Sequence, residues 1–176
     1  GVPGAFMSML GITLLNEIVR KNEVTKASDV LNELRDYVKE ALRQTEDNVS
    51  ARDGMDITFC VYNRKKHCLQ IAAANNSLLY YRDNKLYEIT GDSNPVGVYY
   101  QEKPFTNKEL EVKKEDRFYF FTDGYIDQFG GNYGNKFYSK RFKNLIAENA
   151  SKPFDEQKTT LKQTFIKWKG DNIQVD

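Results

Sequence analysis

Apolar residues near the start of the chain recur at helical spacing: Phe6, Leu10, Leu14 and Ile18, with Met9 and Leu15 widening the stripe. That spacing predicts a helix over 3–21, with Pro3 in the first turn, where its missing N–H costs nothing. A polar linker over 22–26 leads into a second predicted helix, 28–44. Leu31, Leu34, Val38, Ala41 and Leu42 share one face, the opposite face is charged, and Ser28 can cap the start. Two adjacent amphipathic helices need something flat to cover.

The period then changes. Residues 56–62, a polar turn over 63–66 and residues 69–74 read as a hairpin. Residues 77–82 and 85–89 flank Asp83-Asn84 and read as a second one. Residues 91–95 are a loop by composition. A strand is expected over 105–112 and another over 116–122. The latter carries Phe118, Tyr119, Phe120 and Phe121 in succession, which suits burial on both faces. Residues 130–134, Gly-Gly-Asn-Tyr-Gly, read as a flexible loop or flap. Two final helices are expected over 140–148 and 154–169, with Pro153 in the first turn of the last. Helices, then strands, then helices give an α+β class with helices covering an antiparallel sheet. No repeat, low-complexity tract or linker divides the chain, so 1–176 is expected to be one domain.

Composition narrows the function classes. The 176 residues are 40% hydrophobic and 29% charged, a globular balance. A net charge of +1 gives no electrostatic reason to expect nucleic acid or an anionic membrane as partner. No apolar run is long enough to span a bilayer, and the apolar opening lacks the basic start of a signal peptide. Cys60 and Cys68 flank the 63–66 turn and can face each other in a hairpin. They read either as a redox pair or as two small apolar strand residues in a reducing cytosol, the reading adopted here. The lone histidine, His67, beside a basic turn, reads as a surface residue.

Four segments can carry chemistry. In Thr122-Asp123-Gly124-Tyr125-Ile126-Asp127, an apolar strand would fix Asp123 at its end, and a helix starting there would aim Asp127 the same way. Paired carboxylates are hard ligands for magnesium or manganese; the alternative is a turn aspartate followed by a solvated one. Asp176, after Gln174-Val175, is a further candidate ligand. Asp53-Gly54-Met55-Asp56 reads as a turn first. Asn75 and Asn76 close a strand and can either touch a ligand or cap the turn. There is no Ser-His-Asp set, no phosphate-binding Gly-Lys-Ser/Thr loop and no zinc-type Cys/His spacing. An enzyme built here would use carboxylates and metal, not a covalent nucleophile.

These segments form an ordered set that resembles the SpoIIE-type serine/threonine phosphatases of the metal-dependent PPM superfamily. Gly1-Val2-Pro3-Gly4-Ala5-Phe6-Met7-Ser8 is similar to the end of their D-x-x-GHG-VPGAFMS segment. Asp53 to Ile57 resembles DGMDI, Ala73 to Asn76 resembles AGANNP, and Gly91 to Gly97 resembles GD-x-x-PIG. Thr122 to Gly131 matches TDGYIDQFGG, Phe137 to Leu145 resembles KF-x-x-KRFK-x-LL, and Trp168 to Asp176 resembles W-x-G-x-x-x-QVDD. Order is kept over the whole chain.

The resemblance implies an α-β-β-α sandwich of antiparallel sheets flanked by helices. It implies a phosphoprotein phosphatase with two or more Mn2+ or Mg2+ ions. Asp123 and Asp176 would be direct ligands, and Asp127 would lie in an outer position or beside an additional metal. Gly1 would be the last glycine of a GHG loop that supplies a backbone carbonyl and a further aspartate. Asn75 and Asn76 are the substrate-binding candidates. On this pattern the sequence is expected to begin and end inside metal-binding motifs, so that the parent domain is a phosphatase and this chain alone is not competent. The expected partners are a phosphorylated protein of the anti-anti-sigma type and a sensor domain upstream. The expected compartment is the cytoplasm, and a dimer is plausible because strand edges are exposed.

Overall fold

The computed structural model describes residues 2–20, 24–44 and 53–174. They form two compact units, Gly1–Leu78 with Thr90–Lys114, and Leu79–Ile89 with Glu115–Asp176.

In the first unit, helices α1 (Val2–Arg20) and α2 (Ala27–Ala41) accompany a three-stranded sheet. Its strands are β1 (Ile57–Asn63), β2 (Cys68–Ala74) and β5 (Lys108–Glu111), in the order β1-β2-β5 with both pairings antiparallel. The register pairs Ile57 with Ala74 and Phe59 with Ala72. Ile57, Phe59, Val61, Ala72 and Ala74 therefore share a face, and they pack in one core with Ile18, Val30, Leu31, Leu34 and Val38. Ala72 and Ala74 are small enough to let a helix approach the sheet closely.

The predicted cap of α2 is corrected. The helix starts at Ala27, with Lys26 at the cap position and no side-chain cap bond. Ser28 is buried inside the first turn, its hydroxyl donating to Asp29. The sheet side supplies the capping acceptors instead. Gln70 Oε1 accepts from the N–H of Ala27 and Asn107 Oδ1 from that of Ser28, both at 3.3 Å. These satisfy two of the donors a helix start leaves orphaned.

The hairpin register also decides the cysteine question. Cys60 pairs with Ile71 and Cys68 with Asn63, so the two side chains leave the sheet on opposite faces. Both thiols are free. Burial pushes the Cys60 thiol up to about 11. A folded value above the unfolded one means the buried thiol stabilises the fold fully below about pH 9, and this is lost as pH rises towards 11. Native Cys60 is therefore expected to resist alkylation at pH 8, and stability is expected to fall between pH 9 and 11. Urea midpoints should fall less over that interval in Cys60→Ala. His67 is exposed at the turn, its Nδ1 3.2 Å from the Tyr62 hydroxyl.

In the second unit, β3 (Ser77–Arg82), β4 (Lys85–Thr90) and β6 (Arg117–Tyr119) form a sheet in the order β4-β3-β6. Asp83 and Asn84 both have positive φ, 49° and 59°, the conformation a two-residue hairpin turn requires. The expected doubly buried strand over 116–122 is corrected. Only three residues pair, against β3, and Phe120 is 57% exposed. Arg82 clamps the start of β6 through two bonds to the Asp116 carboxylate, 2.8 and 2.6 Å. The strand expected over 105–112 is likewise shorter, because the Thr106 amide and hydroxyl bond Asp92 instead of a neighbouring strand.

The rest of the second unit is helical. A single turn, α3 (Gly124–Asp127), precedes a short hairpin, β7 (Phe129–Gly130) and β8 (Asn135–Lys136). Then come α4 (Ser139–Asn149) and α5 (Phe154–Lys169). Pro153 is the cap of α5, extended at ψ 146°, and not a first-turn residue. Leu79, Phe137, Phe142 and Ile146 form the buried core, with Tyr125, Leu161 and Trp168 packed on it.

Candidate functional site

Asp123 stands at the point where the chain leaving β6 enters α3. It is exposed, already helical at φ −72° and ψ −16°, and its side chain makes no capping bond. Its backbone carbonyl accepts the Asp127 N–H at 2.8 Å, so the two aspartates bracket one helical turn. That turn is mounted rigidly by Tyr125. The ring packs on Phe137, Phe142 and Phe165 with centroids 5.1–5.2 Å away, and the hydroxyl donates to the Leu161 carbonyl at 2.8 Å. Burial pushes the Tyr125 phenol up to about 12. Asp127 is not free: its carboxylate pairs with Lys136 at 2.8 Å, with both side chains about 40% exposed.

The segment after Asp127 is where sequence reasoning missed most. Gln128 is fully buried, and its Nε2 donates to the carbonyls of Ile173 (3.0 Å) and Phe129 (2.9 Å). Its own carbonyl accepts from the Trp168 indole and from the Phe137 N–H, both at 3.0 Å. Gly131 N–H donates to the Trp168 carbonyl at 2.8 Å. A Cβ on Gly130 would lie 1.8 Å from that same carbonyl oxygen. The glycine pair is therefore a latch on α5, and only the tip beyond it has the freedom expected of a flap. The latch fixes the chain that runs on to Gln174. The one available signal was the only tryptophan of the sequence, far downstream of the Gln128 to Gly131 segment.

In the first unit, the other motifs interlock with one another. Asp53-Gly54-Met55-Asp56 is not a turn: Met55 exchanges two backbone bonds with Val96, 3.0 and 2.9 Å. Gln44 Nε2 donates to the Asp53 carbonyl at 2.6 Å. Asn75, at φ 50°, donates its side-chain amide to Asp56 at 3.0 Å and its backbone N–H to the Asp92 carbonyl at 2.9 Å. Asn76 Oδ1 accepts the Ser77 N–H at 2.8 Å, and its carbonyl accepts from Gly91. Both amides thus hold the turn, and the structure brings Asp56, Asn75 and Asp92 together.

Gly1 and Asp176, two of the four expected metal contacts, lie outside the described residues. Among the described residues there is no group of three or more His, Cys, Asp or Glu side chains able to hold a metal ion. The donor chemistry nonetheless fits a hard divalent cation at Asp123, an exposed carboxylate with no capping role on a rigid turn. Asp127, neutralised by Lys136, fits an outer position better than a direct one.

Comparison with known proteins bears on this arrangement. The sequence profile of stage II sporulation protein E (SpoIIE) matches residues 1–176. The fold is similar to the SiaA-PP2C domain of Pseudomonas aeruginosa, with a TM-score of 0.88 and 27% identity over 100% of this chain and 68% of that one. It is also similar to the phosphatase domain of the cell fate determinant SpoIIE from Bacillus subtilis. A manganese-presoaked form gives a TM-score of 0.55 at 12% identity, covering 94% of this chain and 68% of that one. A second structure of that domain gives 0.54 at 11% over 94% and 69%. At such identities these two bear on fold alone. Among curated proteins, none matches significantly.

Proposed function

We propose, of a chain that belongs to the SpoIIE family, that it is a metal-dependent phosphatase domain acting on phosphoserine and phosphothreonine in proteins. The observation that carries the reading is Asp123: an exposed carboxylate, uncommitted to capping, on a turn held by buried aromatic packing. Asp123 and Asp176 would hold Mn2+ or Mg2+, with Gly1 contributing a carbonyl. When bound, the metal lowers the pKa of a water and neutralises phosphoryl charge. The protein's own contribution is position. Tyr125 fixes the Asp123 backbone, Lys136 fixes Asp127, and the Gln128–Trp168 latch holds the closing segment at Ile173. The sequence has no Ser-His-Asp set to supply an activated nucleophile, which fits direct attack by water. Asn75 and Asn76 keep the substrate-facing role only if they bind while still holding their turn.

The proposal extends to context. The domain would be the output of a bacterial signalling protein in the cytoplasm, answering to an upstream sensor and acting on a phosphorylated protein of the anti-anti-sigma type. Among the described residues, no helix is long and apolar enough to cross a membrane.

A second reading, a phosphatase-like module that binds without cleaving, is favoured by one feature: the Lys136 ammonium already occupies Asp127. Hydrolysis of a phosphoserine peptide decides between the two. Assayed in the full-length protein, the phosphatase reading expects turnover with Mn2+, loss on EDTA treatment and recovery on adding Mn2+ back. Tight peptide binding without any turnover under the same conditions would establish the binding module instead.

A further inference from the structure

Beside the β7–β8 hairpin lies a cleft of about 400 Å3, built wholly within the second unit. Its lining includes Trp168, Arg141, Lys167, Tyr133, Asn132 and Asn135, and no acidic side chain. The geometry points to this cleft as a docking site for an acidic stretch of the phosphoprotein substrate, which deepens the phosphatase reading and rests on it.

Three observations support that occupant. Arg141 is held in place, its guanidinium 4.7 Å from the Trp168 ring centroid and its Nη1 donating to the carbonyls of Lys136 and Phe137 at 3.3 and 3.2 Å. A planar cation pre-set on an aromatic face loses little freedom on meeting a carboxylate. Lys167 has no carboxylate partner among the described residues. Tyr133 stands 89% exposed at the hairpin tip, between Gly131 and Gly134, both at positive φ. Aromatic anchors beside a fixed arginine are the composition of binding hot spots.

Charge along the chain agrees. Residues 136–147 carry four cations and no acid, and 157–170 carry four lysines and no acid, in a protein whose net charge is only +1. Helix α4 as a whole carries three cations and one acid, and α5 four lysines and two acids, so each is net +2, a local excess that would steer an acidic partner. The hairpin that forms the cleft wall also carries Lys136, the partner of Asp127. Single-stranded nucleic acid also suits aromatic and cationic surfaces, but membership of a phosphatase family favours a polypeptide.

Trp168 is the only tryptophan, so its fluorescence reports the cleft directly. The chain is titrated with an unphosphorylated peptide of eight Asp and Glu residues, with its Gln counterpart, and with an oligouridylate of equal charge. The acidic peptide is expected to quench or shift the emission, with binding weakened by 0.5 M salt and by roughly tenfold in Lys167→Glu. No response, an equal response to the Gln peptide, or tighter binding of the oligouridylate would overturn the proposal. Mn2+-dependent hydrolysis of para-nitrophenyl phosphate by the full-length protein, a substrate too small to need the cleft, runs alongside. Hydrolysis without a peptide response removes the cleft and keeps the phosphatase. A peptide response without hydrolysis of any phosphoester removes the phosphatase reading, and with it the substrate role given to the cleft.

Discussion

Asp123→Asn, made in the full-length protein, is expected to lower Mn2+-dependent turnover of a phosphoserine peptide by about 10²–10³-fold or more while leaving the fold intact. Asparagine is nearly the same size and keeps one oxygen, so the change tests charge. The wild-type carboxylate makes no capping bond and is exposed, so the fold loses nothing it was using. Substitutions at such positions change stability by about 0.5 kcal/mol at most, which for a chain of this length moves Tm by only about 1–2 °C. A metal ligand would behave otherwise: an amide oxygen has no formal charge to offset a divalent cation, so the site would hold the ion more weakly and turnover would fall with its occupancy. Parallel measurement of turnover across a Mn2+ series and of Tm separates the effects. Wild-type turnover in a normally folded variant would remove Asp123 from the metal site and take the proposed mechanism with it.

What the sequence made legible was local. The β3–β4 hairpin could be read from Asp83-Asn84, because a two-residue turn demands positive φ and asparagine and aspartate tolerate it. The existence of α1 could be read from its apolar period, but not its face: Ile18 is buried as expected, whereas Phe6 and Met9 are exposed and Met7 is buried in their place; α5 could be read from the run that ends at Gly170. Asp123 and Asp127 could be placed on one turn because a strand end, a glycine and a four-residue spacing are all short-range features.

The misreadings share a cause: each depended on a residue far along the chain. Ser28 looked like a cap because nothing nearby revealed that Gln70 and Asn107 would reach the helix start from the sheet. Residues 116–122 looked like a central strand because of their apolarity, yet none of them is buried and only 117–119 pair, with the distant β3 alone. Asp53-Gly54 looked like a turn because Val96, which pairs with the following Met55, lies some forty residues downstream. The 130–134 glycines looked free because glycine supplies freedom and close approach alike, and only the position of Trp168 distinguishes them.

That distinction yields the second large effect. Gly130→Ala is expected to lower unfolding free energy by about 3–5 kcal/mol, the range of severe core disruptions. The added Cβ would sit 1.8 Å from the Trp168 carbonyl oxygen and 2.9 Å from its ring. The nearest obstacle is backbone, so no side-chain rotation relieves it. Either β7 or the end of α5 must move, and both carry bonds that the move would break: the Gly131 N–H to the Trp168 carbonyl, and the Trp168 indole to Gln128. Gly134→Ala is the matched control. That residue has φ +63° but nothing within 4 Å of an added Cβ, so it bears only the left-handed backbone penalty of about 1–2 kcal/mol. Urea unfolding of the two variants isolates close approach from backbone conformation. Near-ultraviolet circular dichroism of Trp168 should lose its fine structure in Gly130→Ala alone. Since Gln128 also holds Ile173, three residues before Asp176, Gly130→Ala should in addition raise the Mn2+ concentration needed for half-maximal turnover, whereas Gly134→Ala should not. Equal stability losses in the two variants would mean that β7 yields to the extra methyl, and that the Gly-Gly pair serves its turn and not the latch.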